Sequence, residues 1–552
     1  MDNNSKLIYI FAKNKNYMES KLKLPIGIQT FEKLRNEKCV YVDKTKYLID
    51  LIDKGSVYFL ARPRRFGKSL TISTFEALFS GKKEHFKGLY AEEFLNRPDF
   101  KSNPVILLDM SNITTDCGID VFKESLKQNT LKVAKELDVE VETRNSAGDI
   151  LNELIFNTAK KYNNQVVFLL DEYDKPYTDF VNDKEMAEKI RNALRDYYVQ
   201  IKANDRYIRF TFITGISKFA KFGVFSALNS PHDISMMPEY AEICGLKEEE
   251  IIQYFPDYLK ETANHLKIST DKLIEEMRYY YNGFSFDSEA LARLYNPFST
   301  LAFFRDREFS NYWMETGRSK VIADYLKTKN LTVEQFRNLS INKGFARSPG
   351  DMDNTSPEGF LYQCGYLTLR PGTDNELSLD YPNNEVLNAI SNILTQNILC
   401  ENTNSYQTNL LSALNNTSTD KLIKVFNSLL ASIPYDDYAK NIEKYLELKD
   451  SKLPANEWLY RSMLLAFLRG CGVDVIAEMH TNLGRSDLVI NYKGKTWVIE
   501  LKVAYKGQSP ALKAAEALQQ IKNMNYADPF PDAICVGLAI EDAVRKITEY
   551  KM

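Results

Sequence analysis

The stretch Val57–Ser69 reads VYFLARPRRFGKS and decides the fold of the first part of the chain. The apolar run Val57–Ala61 predicts a buried β-strand, and the pattern of Leu70–Phe79 predicts the helix that follows. Between them lies Gly67-Lys68-Ser69. This triplet in this position is typical of a P-loop, where N–H groups at a helix N-terminus face a phosphate. The first glycine of the usual motif is replaced by Arg62, so the motif is degenerate.

Three more apolar runs separated by helical patterns predict a parallel sheet buried on both faces, an α/β architecture. The strands are expected at Val105–Met110, Val166–Leu170 and Ile208–Thr214. Helices are expected between them, for example at Val121–Leu137 and Met186–Tyr198.

Two acids, Asp171 and Glu172, directly follow the strand Val166–Leu170. Ligands of open α/β sheets bind at this carboxyl edge. We therefore expect Asp171 and the Ser69 hydroxyl to hold Mg²⁺ beside ATP, and Glu172 to act as the catalytic residue that orients and deprotonates water. A solvated strand end is the alternative explanation of the two acids.

The residues assigned to ATP binding are those of the loop, the first helical turn and the end of the next strand. They are Arg62, Arg64, Arg65, Phe66, Gly67, Lys68, Ser69, Leu70, Thr214 and Ser217. Thr214 and Ser217 are candidate sensors of the γ-phosphate, although ordinary turn chemistry explains them nearly as well. No arginine finger can be assigned, because the loop arginines could act in cis and a partner subunit's arginine in trans.

The bulk composition narrows the classes of function. A formal net charge of −3 gives no general basis for nucleic-acid binding, which would need local basic patches. No apolar run is long enough to cross a membrane, and the N-terminus lacks a signal-peptide pattern. Seven scattered cysteines indicate reduced thiols rather than disulfides. A cytoplasmic location is expected.

In combination these motifs resemble the predicted AAA-ATPase-like proteins, which are abundant in gut and other anaerobic bacteria. The resemblance covers about residues 22–545. The matching segments are Pro25-Ile26-Gly27, Tyr41-Val42-Asp43-Lys44-Thr45, Arg62–Ser69, Asp171–Asp174, Thr214–Phe219, Tyr281–Phe284, Tyr295–Phe298 and Gly365–Thr368. The arginine in place of the first P-loop glycine looks like a feature of this family. The resemblance implies a C-terminal domain of the PD-(D/E)XK nuclease superfamily.

The sequence of residues 487–502, DLVINYKGKTWVIELK, supports that implication. It predicts a hairpin with Lys493-Gly494 as its turn, which places Asp487 directly opposite Glu500. Lys502 lies two residues beyond Glu500 and shares its face. The two carboxylates suit Mg²⁺, and the lysine suits the positioning of water or the stabilisation of charge on a phosphodiester.

Asp487, Glu500 and Lys502 are therefore the expected catalytic residues, with Asp487 and Glu500 as metal ligands. Glu457 is a further candidate ligand, and a helix-dipole role explains it equally well. Gln520 and Tyr526 follow the helix pattern of the family that the chain resembles and could flank the site, but ordinary helix surface or core explains them better. A surface hairpin with a salt bridge is the alternative explanation of the whole group.

Four parts are expected along the chain. They are a flexible tail (1–22), an AAA-ATPase-like P-loop domain (23–246), a helical lid with a candidate winged helix (247–446) and a restriction-endonuclease-like α/β domain (447–552). The winged-helix hypothesis rests on a hairpin predicted from Gly365–Leu369 and Leu377–Asp380, after a helical stretch.

The leading functional hypothesis is ATP hydrolysis that regulates or drives Mg²⁺-dependent cleavage of nucleic acid, with DNA favoured over RNA. Family analogy adds defence against foreign DNA or maintenance of mobile elements. The alternative is an ATP-operated switch whose C-terminal fold only binds nucleic acid or a protein. A P-loop kinase is disfavoured, because Glu172 suits the activation of water. Assembly into a homo-oligomer is compatible with either hypothesis.

Overall fold

The computed structural model describes residues 21–552 with gaps at 116–117, 181–182, 217–230, 314–335, 343, 346–356, 373–375, 400–403, 432–454 and 481–482. Its first sheet has five strands in the order β2-β3-β4-β1-β5, and every neighbouring pair is parallel. The strands are β1 Val57–Ala61, β2 Val105–Asp109, β3 Val166–Asp171, β4 Ile208–Gly215 and β5 His232–Asp233. The four predicted strands are confirmed; β5 has two residues and gave no periodic signal.

Helices cover both faces of this sheet. Val167 and Leu169 of β3 pack into one apolar cluster, while Phe168 and Leu170 pack into another. A strand buried on both faces in this way reads as a continuous apolar run. The helices of this part are α1 Phe31–Asn36, α2 Thr45–Lys54, α3 Lys68–Phe79, α4 Ala91–Leu95, α5 Ile119–Glu136, α6 Ala147–Tyr162, α7 Lys175–Thr178 and α8 Lys184–Ala203.

The middle of the chain is mainly helical, as predicted. It contains α9 Glu248–Tyr254, α10 Pro256–Leu266, α11 Thr270–Tyr281, α12 Pro297–Asp306, α13 Pro357–Gln363, α14 Asn384–Leu399, α15 Asn404–Asn415 and α16 Thr419–Ala431. Three short strands form a second sheet, in the order β6-β8-β7. They are β6 Leu339–Ile341, β7 Thr368–Pro371 and β8 Leu377–Asp380.

The predicted hairpin is therefore present as β7 and β8, and α13 precedes it directly. We call β6, β7, β8 and α13 the hairpin module. A winged helix needs two further helices, and the segments that would supply them fall largely outside the described residues. The winged helix stays a prediction.

The C-terminal part is a five-stranded mixed sheet in the order β13-β12-β11-β10-β9, with β11 and β12 parallel. Its strands are β9 Asp474–His480, β10 Arg485–Tyr492, β11 Lys495–Ala504, β12 Ile534–Glu541 and β13 Lys546–Lys551. Helix α17 (Ala455–Gly470) precedes the sheet, and α18 (Pro510–Asn523) connects β11 to β12. A helix between two adjacent parallel strands is the usual crossover. The predicted boundary near residue 446 lies outside the described residues.

None of the helices in the described ranges is both long enough and apolar enough to cross a membrane.

Candidate active sites

The P-loop connects β1 to α3 and presents one lysine to a cavity of about 400 Å³. Gly67 has φ +96°, and a Cβ there would have no atom within 4 Å, so the backbone conformation rather than space favours glycine. The buried Lys68 Nζ donates to the carbonyl oxygens of Arg62 and Pro63, both at 3.0 Å. Burial lowers the pKa of Lys68, and Asp171 and Glu172 oppose that shift. A cation held on carbonyl dipoles at a helix N-terminus fits an anionic ligand such as phosphate.

The acid pair lies opposite this lysine. Asp171 is buried at the end of β3, and its Oδ1 accepts hydrogen bonds from the Thr214 hydroxyl on β4 and from the Glu172 N–H. Glu172 lines the cavity in a left-handed conformation, φ +50°. Such a conformation is strained in a non-glycine residue and is frequent at functional sites. Burial raises the pKa of Glu172, and Lys68 partly offsets the rise.

Apart from Phe66 and Arg62, the predicted ATP-binding residues fall into three groups in the structure. Arg64, Arg65, Gly67, Lys68, Ser69 and Leu70 line the cavity. Thr214 is fully buried and reaches Asp171 rather than the cavity lining, so its described role is to hold that carboxylate. Ser217 lies outside the described residues.

Phe66 lies beneath the loop, edge-on to Phe284 and Phe286. It also lines a smaller apolar pocket of about 110 Å³, which shares Gly67 and Leu70 with the larger cavity. The two spaces are therefore contiguous, one polar and one apolar.

Arg62, also predicted to bind ATP, is not among the residues that line the cavity. Its side chain is buried and its guanidinium donates to the carbonyls of Ser235 at 2.6 Å and Tyr240 at 3.1 Å. The guanidinium also lies 4.4 Å from the ring centroid of Phe286. Burial lowers the pKa of Arg62 to about 10. The Arg62 side chain points into the protein because these carbonyls accept its hydrogen bonds and the ring packs against its guanidinium there. These contacts hold the loop on the side away from the cavity.

Lys175 and Ser111 are among the cavity-lining residues that the sequence did not indicate. Lys175 begins α7 and pairs with Asp179 at 3.1 Å. Its position four residues after Asp171 was the available signal.

The predicted hairpin of the C-terminal part is confirmed in its register. Leu488 pairs with Ile499 and Tyr492 with Lys495, so Asp487 lies opposite Glu500. The two turn residues, Lys493 and Gly494, have φ +48° and +75°, as a type I′ turn requires.

Asp487 and Glu500 are both buried, and the ends of their side chains meet the neighbouring backbone. The Leu501 N–H donates to Asp487 Oδ2 at 2.8 Å, and the Asp487 N–H donates to Glu500 Oε2 at 3.2 Å. Burial, and then the charge of Asp487, raise the pKa of Glu500 to about 8. Burial likewise raises the pKa of Asp487. Burial and mutual repulsion make it costly for both carboxylates to be ionised at once. A bound divalent cation would reduce that cost, so the pair suits a metal ion.

Lys502 completes the group that the sequence predicted. Its Nζ lies 3.4 Å from Glu457 Oε1 and 3.7 Å from Glu500 Oε1. Burial opposes its charge, but the surrounding carboxylates prevail and raise the pKa of Lys502.

The expected role of Glu457 as a metal ligand is not supported by this geometry. Its carboxylate is drawn to Lys502, and among the described residues no three His, Cys, Asp or Glu side chains form a metal-holding cluster. Asp487 and Glu500 are the carboxylates here that could hold Mg²⁺, which commonly completes its coordination with water and phosphate oxygens.

Sequence reasoning missed two contacts of this site. Gln520, assigned to ordinary helix surface or core, donates from its Nε2 to Glu500 Oε1. Arg461, buried on α17, lies 2.9 Å from Glu478 Oε1 and 3.6 Å from Asp487 Oδ1. The signal for Arg461 was its place one helical turn after Glu457, on the same face. The buried Tyr526 lies beside Gly484, where a Cβ would meet the tyrosine hydroxyl at 2.8 Å.

The comparisons with known proteins match the two predicted domains that contain these sites. Residues 25–225 match the family of predicted AAA-ATPases, and residues 455–549 match the PD-(D/E)XK nuclease superfamily. A protein of Azotobacter chroococcum mcd 1, described as "Uncharacterized protein in vnfD 5'region", is 33% identical over 520 residues, which cover 93% of this chain and 94% of that protein. The chain belongs to the predicted AAA-ATPase family and carries a C-terminal PD-(D/E)XK nuclease superfamily domain.

Two solved structures of archaeal proteins also match. The Aeropyrum pernix ORC2 protein aligns with 69% of this chain and 96% of its own at 14% identity and a TM-score of 0.27. Cdc6p from Pyrobaculum aerophilum aligns over the same shares at 9% identity and a TM-score of 0.21. These scores add nothing to the assignment of fold.

Proposed function

We propose that the chain hydrolyses ATP at the P-loop and, under the control of that reaction, cleaves nucleic-acid phosphodiesters at the C-terminal site with Mg²⁺. The observation that carries the proposal is the convergence of Asp487, Glu500 and Lys502 in a sheet whose other buried positions are mostly apolar. Burying two carboxylates is costly unless they are partnered, and no packing requirement places them there. A site of this kind serves chemistry rather than stability.

At the first site the adjoining spaces match the two ends of a nucleotide. The polar cavity, with Lys68 and Ser69, suits the phosphates, and the apolar pocket around Phe66 suits the base. Glu172 faces the cavity and, as a carboxylate of raised pKa, suits the acceptance of a proton from water. Asp171, held by Thr214, supplies a fixed carboxylate oxygen for Mg²⁺.

At the second site a bound divalent cation would polarise phosphate oxygens and activate water. Asp487 and Glu500 would hold it. Gln520 keeps the Glu500 carboxylate in place, and Arg461 does the same for Asp487. Lys502 presents a positive charge beside the pair, where charge on a phosphodiester would develop. DNA is favoured over RNA as the substrate.

The test measures Mg²⁺-dependent cleavage of single- and double-stranded DNA and RNA, with and without ATP. Glu500→Gln should lower cleavage at least about 100-fold, while Glu516→Gln, an exposed acid on α18 paired with Lys513, should have no effect. Lys68→Ala should lower ATP turnover at least about 100-fold, while the exposed Lys54→Ala should not. Cleavage that persists in Glu500→Gln would show that the nuclease assignment is wrong.

A second candidate function is an ATP-operated switch whose C-terminal domain binds nucleic acid or a protein without cleaving it. The contact between Glu457 and Lys502, which leaves two carboxylates as the donor set, favours this alternative. Binding of DNA without cleavage in the same assay, with ATP-dependent affinity, would support it.

A further inference from the structure

A cavity of about 560 Å³ separates the hairpin module from the edge of the C-terminal sheet. Two aspartates, Asp380 and Asp474, line it. The arginines that line it outnumber them: Arg278, Arg293, Arg337, Arg370 and Arg469. The cavity lies apart from both sites described above, and its excess of guanidinium groups contrasts with the net negative charge of the whole chain.

Three of these arginines donate to backbone carbonyl groups. Arg293 donates to the Leu369 carbonyl at 2.7 Å, Arg370 to that of Tyr381 at 2.8 Å, and Arg469 to that of Val475 at 3.2 Å. Carbonyl contacts orient a guanidinium without neutralising it, so the positive charge of Arg293 remains available to an anion.

The other contacts do not remove this excess. Arg278 pairs with Glu248 at 2.6 Å, and Arg370 Nε lies 3.3 Å from Asp380 Oδ2. The Nε of Arg337 is buried and has no hydrogen-bond partner among the described residues. A buried charged donor without an acceptor is energetically costly. A ligand oxygen that accepted a hydrogen bond from it would remove this cost.

One wall of the cavity belongs to the strand next to the proposed nuclease site. The wall is formed by Asp474–Ala477 of β9, and Ala477 pairs with Leu488, the neighbour of Asp487. A chain of phosphates bound along this wall would therefore run beside the strand that carries the catalytic acid. Planar guanidinium groups match phosphate oxygens in geometry as well as in charge.

We propose that this cavity binds the backbone phosphates of a nucleic-acid strand and holds that strand against the C-terminal sheet. The identity of the anion rests on the proposed nuclease function, whereas the preference for phosphate rests on the arginines themselves. The cavity contacts backbone and not base edges, so the contribution to affinity is independent of nucleotide sequence.

The sharpest test uses Ile476, which lines the cavity and is 41% exposed, so a substitution removes little packing. Ile476→Glu places a negative charge among the arginines, and Ile476→Gln is its neutral match. Binding of a fluorescent 20-mer, single- or double-stranded, is measured by anisotropy with the full chain in EDTA, which prevents metal-dependent cleavage. Ile476→Glu should weaken binding about tenfold or more, and Ile476→Gln should stay within about twofold of wild type.

Arg337→Gln gives an independent reading. It should reduce the slope of log affinity against log salt by about one, as the loss of one phosphate contact does. Lys132→Gln, an exposed lysine on α5, removes the same charge elsewhere and should leave the slope unchanged.

Equal binding by Ile476→Glu and Ile476→Gln overturns the proposal, whether or not Glu500→Gln abolishes cleavage. A competition with AMP gives a second outcome that overturns the proposal. If AMP, at the same phosphate concentration as the 20-mer, displaces the 20-mer from the Lys68→Ala variant, the cavity takes a small phosphate ligand. A wild-type chain that binds no oligonucleotide overturns both this proposal and the proposed nuclease function.

Discussion

The guanidinium of Arg62 stands where the usual P-loop has a glycine, and it connects the loop to the chain beyond β5. Its hydrogen bonds to the carbonyls of Ser235 and Tyr240 are made in the interior, where a lost donor is not replaced by water. The arginine at this position therefore makes a structural contact, and its presence does not mean that the P-loop motif has decayed.

Restoring the glycine should therefore destabilise the protein. We expect Arg62→Gly to lower the free energy of unfolding by about 2–4 kcal/mol, because buried carbonyls lose a charged donor and a cavity is left. ATP affinity should not improve. Thermal or urea unfolding with and without ATP measures both effects; a variant as stable as wild type would contradict the assigned role.

Glu500 should make stability depend on pH. Its folded-state pKa is raised from 4.5 to about 8, so in that range the folded chain holds a proton that the unfolded chain has released. The free energy of unfolding should therefore fall as pH rises from about 4.5 to about 8.

In EDTA, the free energy of unfolding of Glu500→Gln should depend less on pH than that of wild type. Above pH 8 the variant should gain stability relative to wild type. Urea unfolding of both proteins at pH 5, 7 and 9 is the measurement, with Glu516→Gln as control. Parallel curves for Glu500→Gln and wild type would contradict the shift.

At the scale of elements, the connection between α13 and β7 of the hairpin module packs directly on the P-loop. Gly365 has φ +85°, and a Cβ there would lie 2.6 Å from Pro63 Cβ and 3.4 Å from the ring of Trp313. Trp313 in turn has its Nε1 3.5 Å from the Arg64 carbonyl. Glycine is required at 365 both by its backbone conformation and by this close approach.

Gly365→Ala should therefore impair the nucleotide site, although residue 365 lies about 300 positions from the loop. Gly88 is the matched control, since it has φ +79° and open space around its Cβ position. Both substitutions cost about 1 kcal/mol in backbone strain. The Gly365 variant should lose a further 1–3 kcal/mol or so from the clash and show weaker ATP binding. Equal effects of the two substitutions would contradict the proposed contact.

Long apolar strands and the C-terminal hairpin could be predicted because each is encoded locally. Continuous apolar runs mark the strands β1 to β4, and a lysine–glycine turn fixes the register that sets Asp487 against Glu500. The two-residue β5 and the three-residue β6 are too short to show a period.

Side-chain direction was harder to predict than position. Arg62 was assigned to ATP because loop arginines often contact phosphate, but its acceptors come from residues 235–241, which no local pattern connects to the loop. The same limit applies to two residues of the C-terminal site. Glu457 was predicted as a metal ligand but contacts Lys502, and Gln520 was predicted as ordinary helix but donates to Glu500. The partner of each is decided by how α17 and α18 pack on β11.

For the whole molecule, the contact of Trp313 with the P-loop gives a way to observe coupling. ATP binding at Lys68 should shift the fluorescence of Trp313, because the indole touches the backbone of Arg64. Trp313→Phe should abolish the change and Trp458→Phe, on α17, should retain it. A nucleotide-dependent signal that survives Trp313→Phe would show that Trp313 does not report on the loop.

The strand order β2-β3-β4-β1-β5 also has a consequence for synthesis. Strand β1 pairs with β4 and β5, whose residues are made about 150 or more positions later, so the P-loop strand has neither neighbour when it is translated. The anchors of Arg62 come later still, at Ser235 and Tyr240. A chain growing on the ribosome therefore leaves this apolar strand without its neighbour β4 for about 8–30 s at ordinary translation rates. The P-loop can close around a nucleotide only after Ser235 and Tyr240 have emerged from the ribosome.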